Sequence, residues 1–352
     1  MKAVLYHTIY DANPYGHGGE KRTAQLREMF LNKDIEIIDF KPDLKYRLSL
    51  RYLFMALNVI ISMYGLNEWK SLLSFFRFWK YLSIVIPQLE SFFHSDVDTF
   101  IWESTKDYYY YLPFLAKKHN KKLIAYPHNL ESLVPGENSI IFNRKLPEKF
   151  NREIKVLGMC DEVYTISREE CLFLKLFNIN AFYYPYYPPK VFEEVLLDIK
   201  RKRNFRDNGK EIQILMLGSA INPPTREGME NRINFFQILT LENIKLKIGG
   251  YGTHHLKDKI KNKNIILLGE LSSEQLYEEM INTDALLIFQ PATTGALTRI
   301  REFLIAGIPV IANEDSGRSY YEDKDIFIYR DDEHLCAILD LKENFKNVEN
   351  GN

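Results

Sequence analysis

Cysteine is scarce in this chain of 352 residues, with only Cys160, Cys171 and Cys336. No two have CxxC spacing and an odd number cannot all pair, so a disulfide framework is excluded and a reducing compartment is expected. Neither charge predominates: Lys plus Arg is 46 and Asp plus Glu is 47, a formal net charge of −1. A chain that binds polyanions along its length carries a basic excess, so nucleic acid is not an expected partner. Long apolar runs are missing as well. The most apolar stretch, Leu53 to Tyr64, falls short of the ~20 residues that span a bilayer. The N-terminal MKAVLYHTIYDANPYGHGG turns polar too soon for a signal peptide. The expected location is cytoplasmic. Repeats and low-complexity tracts are not seen. Aromatics, by contrast, are plentiful at 22 Tyr, 23 Phe and 3 Trp, and the apolar share of 46% supports folded cores. The length fits two domains of roughly 100–200 residues each.

Short apolar runs alternate with helical patterns almost from end to end. The first series of predicted strands is Ala3–His7, Ile35–Asp39, Thr99–Trp102, Lys122–Ala125 and Glu162–Ile166. The second is Ile212–Leu217, Lys245–Ile248, Ile265–Leu268, Ala285–Phe289 and Pro309–Ala312. Such alternation predicts parallel sheets covered by helices, an α/β class. Two series predict two doubly wound, Rossmann-like domains. PYYPP at Pro185–Pro189 and the charged run ending at Asn208-Gly209 mark the boundary. The expected plan is a first domain over 1–190, a linker over 191–209 and a second domain over 210–330. A C-terminal helix over 331–352 then packs back toward the first domain.

Residues 41–90 interrupt the alternation with a helical excursion. Tyr46, Leu50, Leu53, Leu57, Ile60 and Tyr64 recur at helical spacing, and Trp69, Leu72, Phe76 and Trp79 start a second stripe. Lys41, Lys45, Arg47, Arg51, Lys70, Arg77 and Lys80 outnumber Asp43, Glu68 and Glu90. Two readings stand: a helical pair that covers its own domain, or a basic, aromatic surface for an anionic membrane or a lipid acceptor. The second would place the protein peripherally on the inner membrane face.

Doubly wound domains bind ligands beyond the carboxyl ends of their strands. The first strand leads into NPYGHGGEKR, where Gly18 and Gly19 precede a helix and Arg22 lies in its first turn. This is neither GxGxxG nor a P-loop, but amides at a helix N-terminus can meet an anion. Glu103 ends the strand at 99–102, and YPHNLES places His128, Asn129 and Glu131 after the next. A carboxylate there can meet a substrate hydroxyl, and a histidine can act as base or hydrogen-bond partner. In the second series, Gly218-Ser219 and Gly249-Gly250-Tyr251-Gly252 end strands. QPATTGALTRIREFLIAGIPVIA then gives a loop at Thr293–Gly295 and a helix from Ala296 to Gly307. Arg299 in its first turn can grip a diphosphate, and Glu302 one turn on can accept two ribose hydroxyls. Asp96-Val97-Asp98 precedes its strand, the wrong end for a ligand, and His254-His255 lacks a third ligand. No required metal is expected.

TTGALTRIREFLIAGIPVIAN resembles the nucleotide-sugar motif of the retaining glycosyltransferase family 4, whose members have the two-domain GT-B fold. In that motif one Glu precedes another by eight positions. Glu302 occupies the second, while Thr294 stands at the first. Thr298-Arg299-Ile300-Arg301-Glu302 is similar to the Thr-Lys-x-x-Glu form of some members. ILMLGSAINPP, LKIGGYG, GGEKR, PHNLES and DEVYTIS resemble further segments. The resemblance implies two Rossmann-like domains facing across a cleft and metal-independent, hexosyltransferase-like transfer without a cofactor. A sugar would pass from a nucleotide-diphosphate donor to a hydroxyl of a glycan or lipid-linked acceptor, in polysaccharide or glycoconjugate synthesis. It implies that His128 contacts the donor sugar. Donor contacts would come from Gly18, Gly19, Arg22, Gly218, Ser219, Arg226, Gly250, Thr294, Gly295, Ala296, Leu297, Thr298, Arg299 and Glu302. With retention, the leaving phosphate takes the acceptor proton; with inversion, Glu103 or His128 is the base. A sugar epimerase keeps the fold and changes the reaction. The alternative of another class is a degenerate scaffold that binds glycan, nucleotide or a partner enzyme, which Thr294 in place of Glu favours.

Overall fold

The computed structural model describes residues 2–45, 50–65, 69–136, 139, 141–206, 209, 211–239 and 243–341. The chain divides into two units. The first holds residues 1–186 with 294–296, and the second holds 187–293 with 297–352.

In the first unit the order is β1 (Ala3–His7), α1 (Gly18–Leu31), β2 (Glu36–Asp39), α2 (Leu50–Met63), α3 (Leu72–Phe93), β3 (Thr99–Glu103), α4 (Tyr111–Lys118), β4 (Lys122–Tyr126), α5 (Leu146–Leu157), β5 (Glu162–Thr165), α6 (Arg168–Leu176) and β6 (Ala181–Tyr183). These strands form one parallel sheet in the order β2-β1-β3-β4-β5-β6. Alternation along β1 sends Val4 and Tyr6 to the face that packs with Leu26 and Phe30 of α1. Leu5 points to the opposite core, which takes in α2 to α6.

The second unit continues with α7 (Lys190–Arg203), β7 (Ile212–Leu217), α8 (Pro223–Ile238), β8 (Ile244–Gly249), β9 (Ile265–Gly269), α9 (Ser273–Asn282), β10 (Ala285–Ile288), α10 (Thr298–Ile305), β11 (Val310–Asn313), α11 (Glu314–Gly317), β12 (Ile326–Tyr329) and α12 (Asp332–Asp340). Its parallel sheet runs β12-β11-β10-β7-β8-β9. Ile212, Ile214 and Met216 of β7 pack with Met229, Ile233 and Phe236 of α8.

Two parallel, helix-covered sheets match the expected α/β class. The ten predicted strands all form, with ends shifted by a residue or so. Two more, β6 and β12, escaped the sequence reading. Both are edge strands of three or four residues, too short for alternation to register. The segment expected as a linker opens with α7. Its Leu196, Ile199 and Arg203 are buried, and it packs on α9 and α10 of the second unit. Arg203 belongs there because its guanidinium donates to the carbonyls of Met280, Ile281 and Thr283. Of the expected C-terminal helix, Leu335, Ile338 and Leu339 of α12 join the second unit's core; residues 342–352 lie outside the described residues.

The excursion forms α2 and α3, and its predicted stripes divide between inside and outside. Leu50, Leu72 and Phe76 are 76%, 79% and 52% exposed, while Ile60 and Tyr64 are buried. The faces turned inward carry Ala56, Val59, Ile60 and Met63 on α2, and Phe78, Leu82, Val85, Ile86, Leu89 and Phe93 on α3. Each helix therefore has two apolar faces, and spacing alone could not say which one the sheet covers. Tyr46, Arg47 and Glu68 lie outside the described residues.

Candidate functional site

Strand order locates the crevice of each sheet. In the first unit the chain passes from β1 outward to β2 and returns on the other side as β3, so the switch lies between β1 and β3. In the second it lies between β7 and β10. Ligands of doubly wound sheets bind beyond the carboxyl ends at such switch points.

At the first switch stands Glu103, the last residue of β3 and fully buried. Its Oε1 accepts from the Thr23 hydroxyl at 2.6 Å and meets His128 Nε2 at 2.6 Å; its Oε2 accepts from the Tyr6 hydroxyl. Burial pushes the carboxyl's pKa up. The bonds from His128, Thr23 and Tyr6 outweigh that, and the net effect holds it below its ordinary value. A carboxylate saturated in this way does not reach a substrate hydroxyl, which corrects the expectation for Glu103. It orients His128 instead, through the 2.6 Å contact with Nε2. Tyr10 stacks on the His128 ring with centroids 5.1 Å apart. Beside Glu103, His7 ends β1 with Nδ1 buried and unpartnered, and burial pushes its pKa down to about 4.

The expected anion cradle at α1 is differently employed. The Gly19 N–H donates to His17 Nδ1 at 3.2 Å, and the Glu20 carboxylate folds back onto the His17 N–H at 3.0 Å. This capping box closes the turn after Gly18. It also puts a carboxylate where the anion was expected. Gly19 has a packing reason: an added Cβ would lie 2.9 Å from the Tyr10 ring. Arg22 is buried and its guanidinium is engaged within the fold. It donates to the Tyr184 carbonyl at 2.7 Å, the Pro185 carbonyl at 3.1 Å and Gln25 at 2.6 Å.

Thr294, Gly295 and Ala296 belong to this first unit. The Thr294 hydroxyl donates to the Leu130 carbonyl at 3.2 Å, and the Gly295 N–H donates to Glu170 at 2.6 Å. Glycine is needed at 295: φ is +78°, and an added Cβ would stand 2.9 Å from the His128 carbonyl. The Asn129 amide, turned to donate, reaches the carbonyls of His128 at 3.0 Å and Thr294 at 3.3 Å. This pair of loops therefore fixes the backbone of His128.

At the second switch the strands end in glycines whose amides pair with neighbouring carbonyls, Gly218 N–H with Gly249 at 3.1 Å and Gly250 N–H with Gly269 at 2.7 Å. Gly218 follows β7 and Gly250 follows β8, so close that a Cβ on Gly250 would lie 2.1 Å from the Gly218 carbonyl oxygen. A Cβ on Gly218 would meet the Arg299 guanidinium at 2.5 Å and the Thr225 methyl at 2.7 Å. Arg299, in the first turn of α10, donates to the Leu217 carbonyl. Burial lowers its pKa, and Glu302 opposes that shift. Glu302 is itself buried on the same helix. A crevice with room for about one water molecule is lined by Leu217, Thr225, Met229, Phe289, Gln290 and Arg299 among others.

Of the remaining expected donor residues, Leu297 precedes α10 and its carbonyl accepts from the Tyr320 hydroxyl at 2.9 Å; Thr298 opens the helix. The Ser219 hydroxyl accepts from the Ile221 N–H at 3.3 Å. Arg226 points elsewhere, ion-paired with Glu230 at 2.9 Å on an exposed face of α8. Sequence reasoning missed Tyr6, Tyr10 and Thr23, as well as Thr225 and Gln290, whose side chains meet at 3.1 Å. Gln290 follows β10 by two residues, a position that could have singled it out. Thr23 and Tyr6 left no such mark. Among the described residues no group of three or more His, Cys, Asp or Glu could hold a metal ion.

No family model matches the chain, and no curated protein matches it. Solved structures do. HepE from Anabaena, in complex with UDP, superposes with a TM-score of 0.63 at 10% identity, covering 99% of this chain and 93% of that one. The chain has the GT-B fold. Sucrose-phosphate synthase from Thermosynechococcus elongatus gives a TM-score of 0.62 at 12% identity, covering 99% and 92%. The UDP-GlcNAc 2-epimerase from Methanocaldococcus jannaschii gives 0.51 at 14% identity, covering 97% and 92%. The GT-B fold thus spans transferases and an epimerase, and the choice between them rests on side chains.

Proposed function

We propose that this protein is a glycosyltransferase that moves a sugar from a nucleotide-diphosphate donor to a hydroxyl of a glycan or lipid-linked acceptor, within polysaccharide or glycoconjugate synthesis. The observation that carries the reading is Arg299, turned onto Gly218 at the switch point of the second sheet with Glu302 one turn behind it. Glycines let phosphate oxygens approach the backbone, and the guanidinium balances the charge that grows on the departing diphosphate. That cation does the work otherwise given to a metal, so the transfer is read as metal-independent. Glu302 takes the ribose hydroxyls. UDP bound to HepE, and UDP-glucose in a further complex of that protein, support the donor class.

His128, oriented by Glu103 and Tyr10, is assigned to the donor sugar. We favour retention, in which the leaving phosphate takes the acceptor proton. The sealed state of Glu103 supports this, because it removes one of two candidate bases and leaves His128 alone for an inverting reaction.

Calorimetric titration with nucleoside diphosphates tests the reading. The wild type should bind one of them, and Glu302→Ala should weaken that binding about tenfold or more. Mass spectrometry of nucleotide sugars incubated with the protein should then show one donor consumed. A second reading has its own support: Thr294 replaces a carboxylate and its hydroxyl is bonded to Leu130. A degenerate scaffold would bind glycan or a partner without turning over any donor. Donor consumption therefore separates the two.

A further inference from the structure

The faces of α2 and α3 turned away from the core are not polar. Leu50, Phe54 and Ile61 on α2 are 76%, 73% and 50% exposed. At 100° per residue they fall within about 40° of one another, a single stripe. Leu72, Leu73 and Phe76 at the start of α3 are also exposed. The Trp79 indole N–H donates to the Leu53 carbonyl at 2.8 Å. This bond joins the helices where Leu50 and Phe54 flank Leu53 and where Phe76 flanks Trp79, so the two stripes run side by side.

Cations predominate on the exposed part of this hairpin. Among its described residues Arg51, Lys70, Arg77 and Lys80 are exposed, while Glu90, near the far end of α3, is half-buried and 3.6 Å from Lys118. Monomeric soluble proteins seldom display contiguous apolar patches of this kind without a use for them. The hairpin also cannot cross a bilayer, since no described helix is long and apolar enough.

We infer that the outer face of the α2–α3 hairpin docks the protein on an anionic lipid bilayer, with Leu50, Phe54, Leu72 and Phe76 entering the interface and Arg51, Arg77 and Lys80 pairing with lipid phosphates. The charge complementarity selects this occupant. A second copy of the chain packed on the same face about a two-fold axis would set cations against cations. Apolar side chains flanked by Lys and Arg are the composition of helices that lie in the headgroup region. This docking is independent of the proposed transfer reaction and can be measured without any sugar.

Flotation of the full chain with vesicles is the test. The wild type should float with vesicles rich in phosphatidylglycerol, stay behind with pure phosphatidylcholine, and be released by high salt. Phe54→Ser with Phe76→Ser should abolish flotation. Arg77→Glu with Lys80→Glu should weaken it by about tenfold or more. All four positions are solvent-facing, so both variants should melt like the wild type, which circular dichroism checks. Absence of wild-type flotation at low salt overturns the proposal, as does equal flotation on both lipids. Concentration-dependent dimers in light scattering that Phe54→Ser removes would overturn it in favour of self-association.

Discussion

Both sheets are parallel and doubly wound, but their strand orders differ, and they present different kinds of strand end. In the first unit the switch point is filled. Glu103 takes three hydrogen bonds, Arg22 donates to backbone carbonyls, the Gly19 N–H is capped by His17 and the His17 N–H by Glu20. All this invested polarity holds one histidine in place. In the second unit two glycines end their strands beside one guanidinium, which is held by the Leu217 carbonyl. The contrast separates a site built around a fixed ring from one whose strand ends leave room beside a single cation.

The largest expected effect tests the second unit's strand ends. Arg299→Ala should lower turnover about 10²- to 10³-fold, the usual scale for removing a group that stabilises transition-state charge; unchanged turnover in a donor-consumption assay would end its assigned role. Gly218→Ala comes next. Its Cβ would stand 2.5 Å from the guanidinium, so nucleotide affinity by calorimetry should fall about tenfold with little change in melting temperature. An equal change in both measurements would mean that the glycine serves packing alone.

The filled end should reveal itself through pH. The folded-state pKa of His7 is depressed to about 4 from an ordinary 6.5. The unfolded chain therefore takes up the proton first, and stability is lost as pH falls through that interval. Glu103, also held below its ordinary value, adds stability that is present above the ordinary carboxyl range and lost as pH falls through its own lower value. His7→Asn should flatten the fall in urea midpoint between about pH 6.5 and 4, by roughly 3 kcal/mol at most. A slope equal to that of the wild type would remove His7 from the account. The smallest effect belongs to Arg226→Ala, which breaks only an exposed pair with Glu230. Stability should change by less than about 1 kcal/mol, and nucleotide affinity should not change. A clear loss of affinity would enlarge the second site beyond Arg299.

Much of the fold was legible because it is written locally. Strands such as Ala3–His7 and Ile212–Leu217 are mostly apolar runs, broken only by His7 and Gln213, as burial on both faces of a parallel sheet requires. Their order was not legible. No local pattern says that β3 lies beside β1, or β10 beside β7, and those pairings create the switch points. Among site residues, Arg299, Glu302 and the glycines stood out because a loop and a helix start frame them. Arg22 looked equally available, but its partners lie at Tyr184 and Pro185, 162 and 163 residues away.

The sequence by itself determined the α/β class and two series of strands, since both follow from spacing and composition. Tertiary structure alone decided which cations were spent on the fold, which carboxylate was sealed behind His128, and which apolar stripe of α2 and α3 was left outside. The reason is the same in each case. Hydrogen-bond satisfaction and burial depend on neighbours that the chain meets only after it has folded, and a residue's type fixes what it can bond with but not whether that capacity is already used.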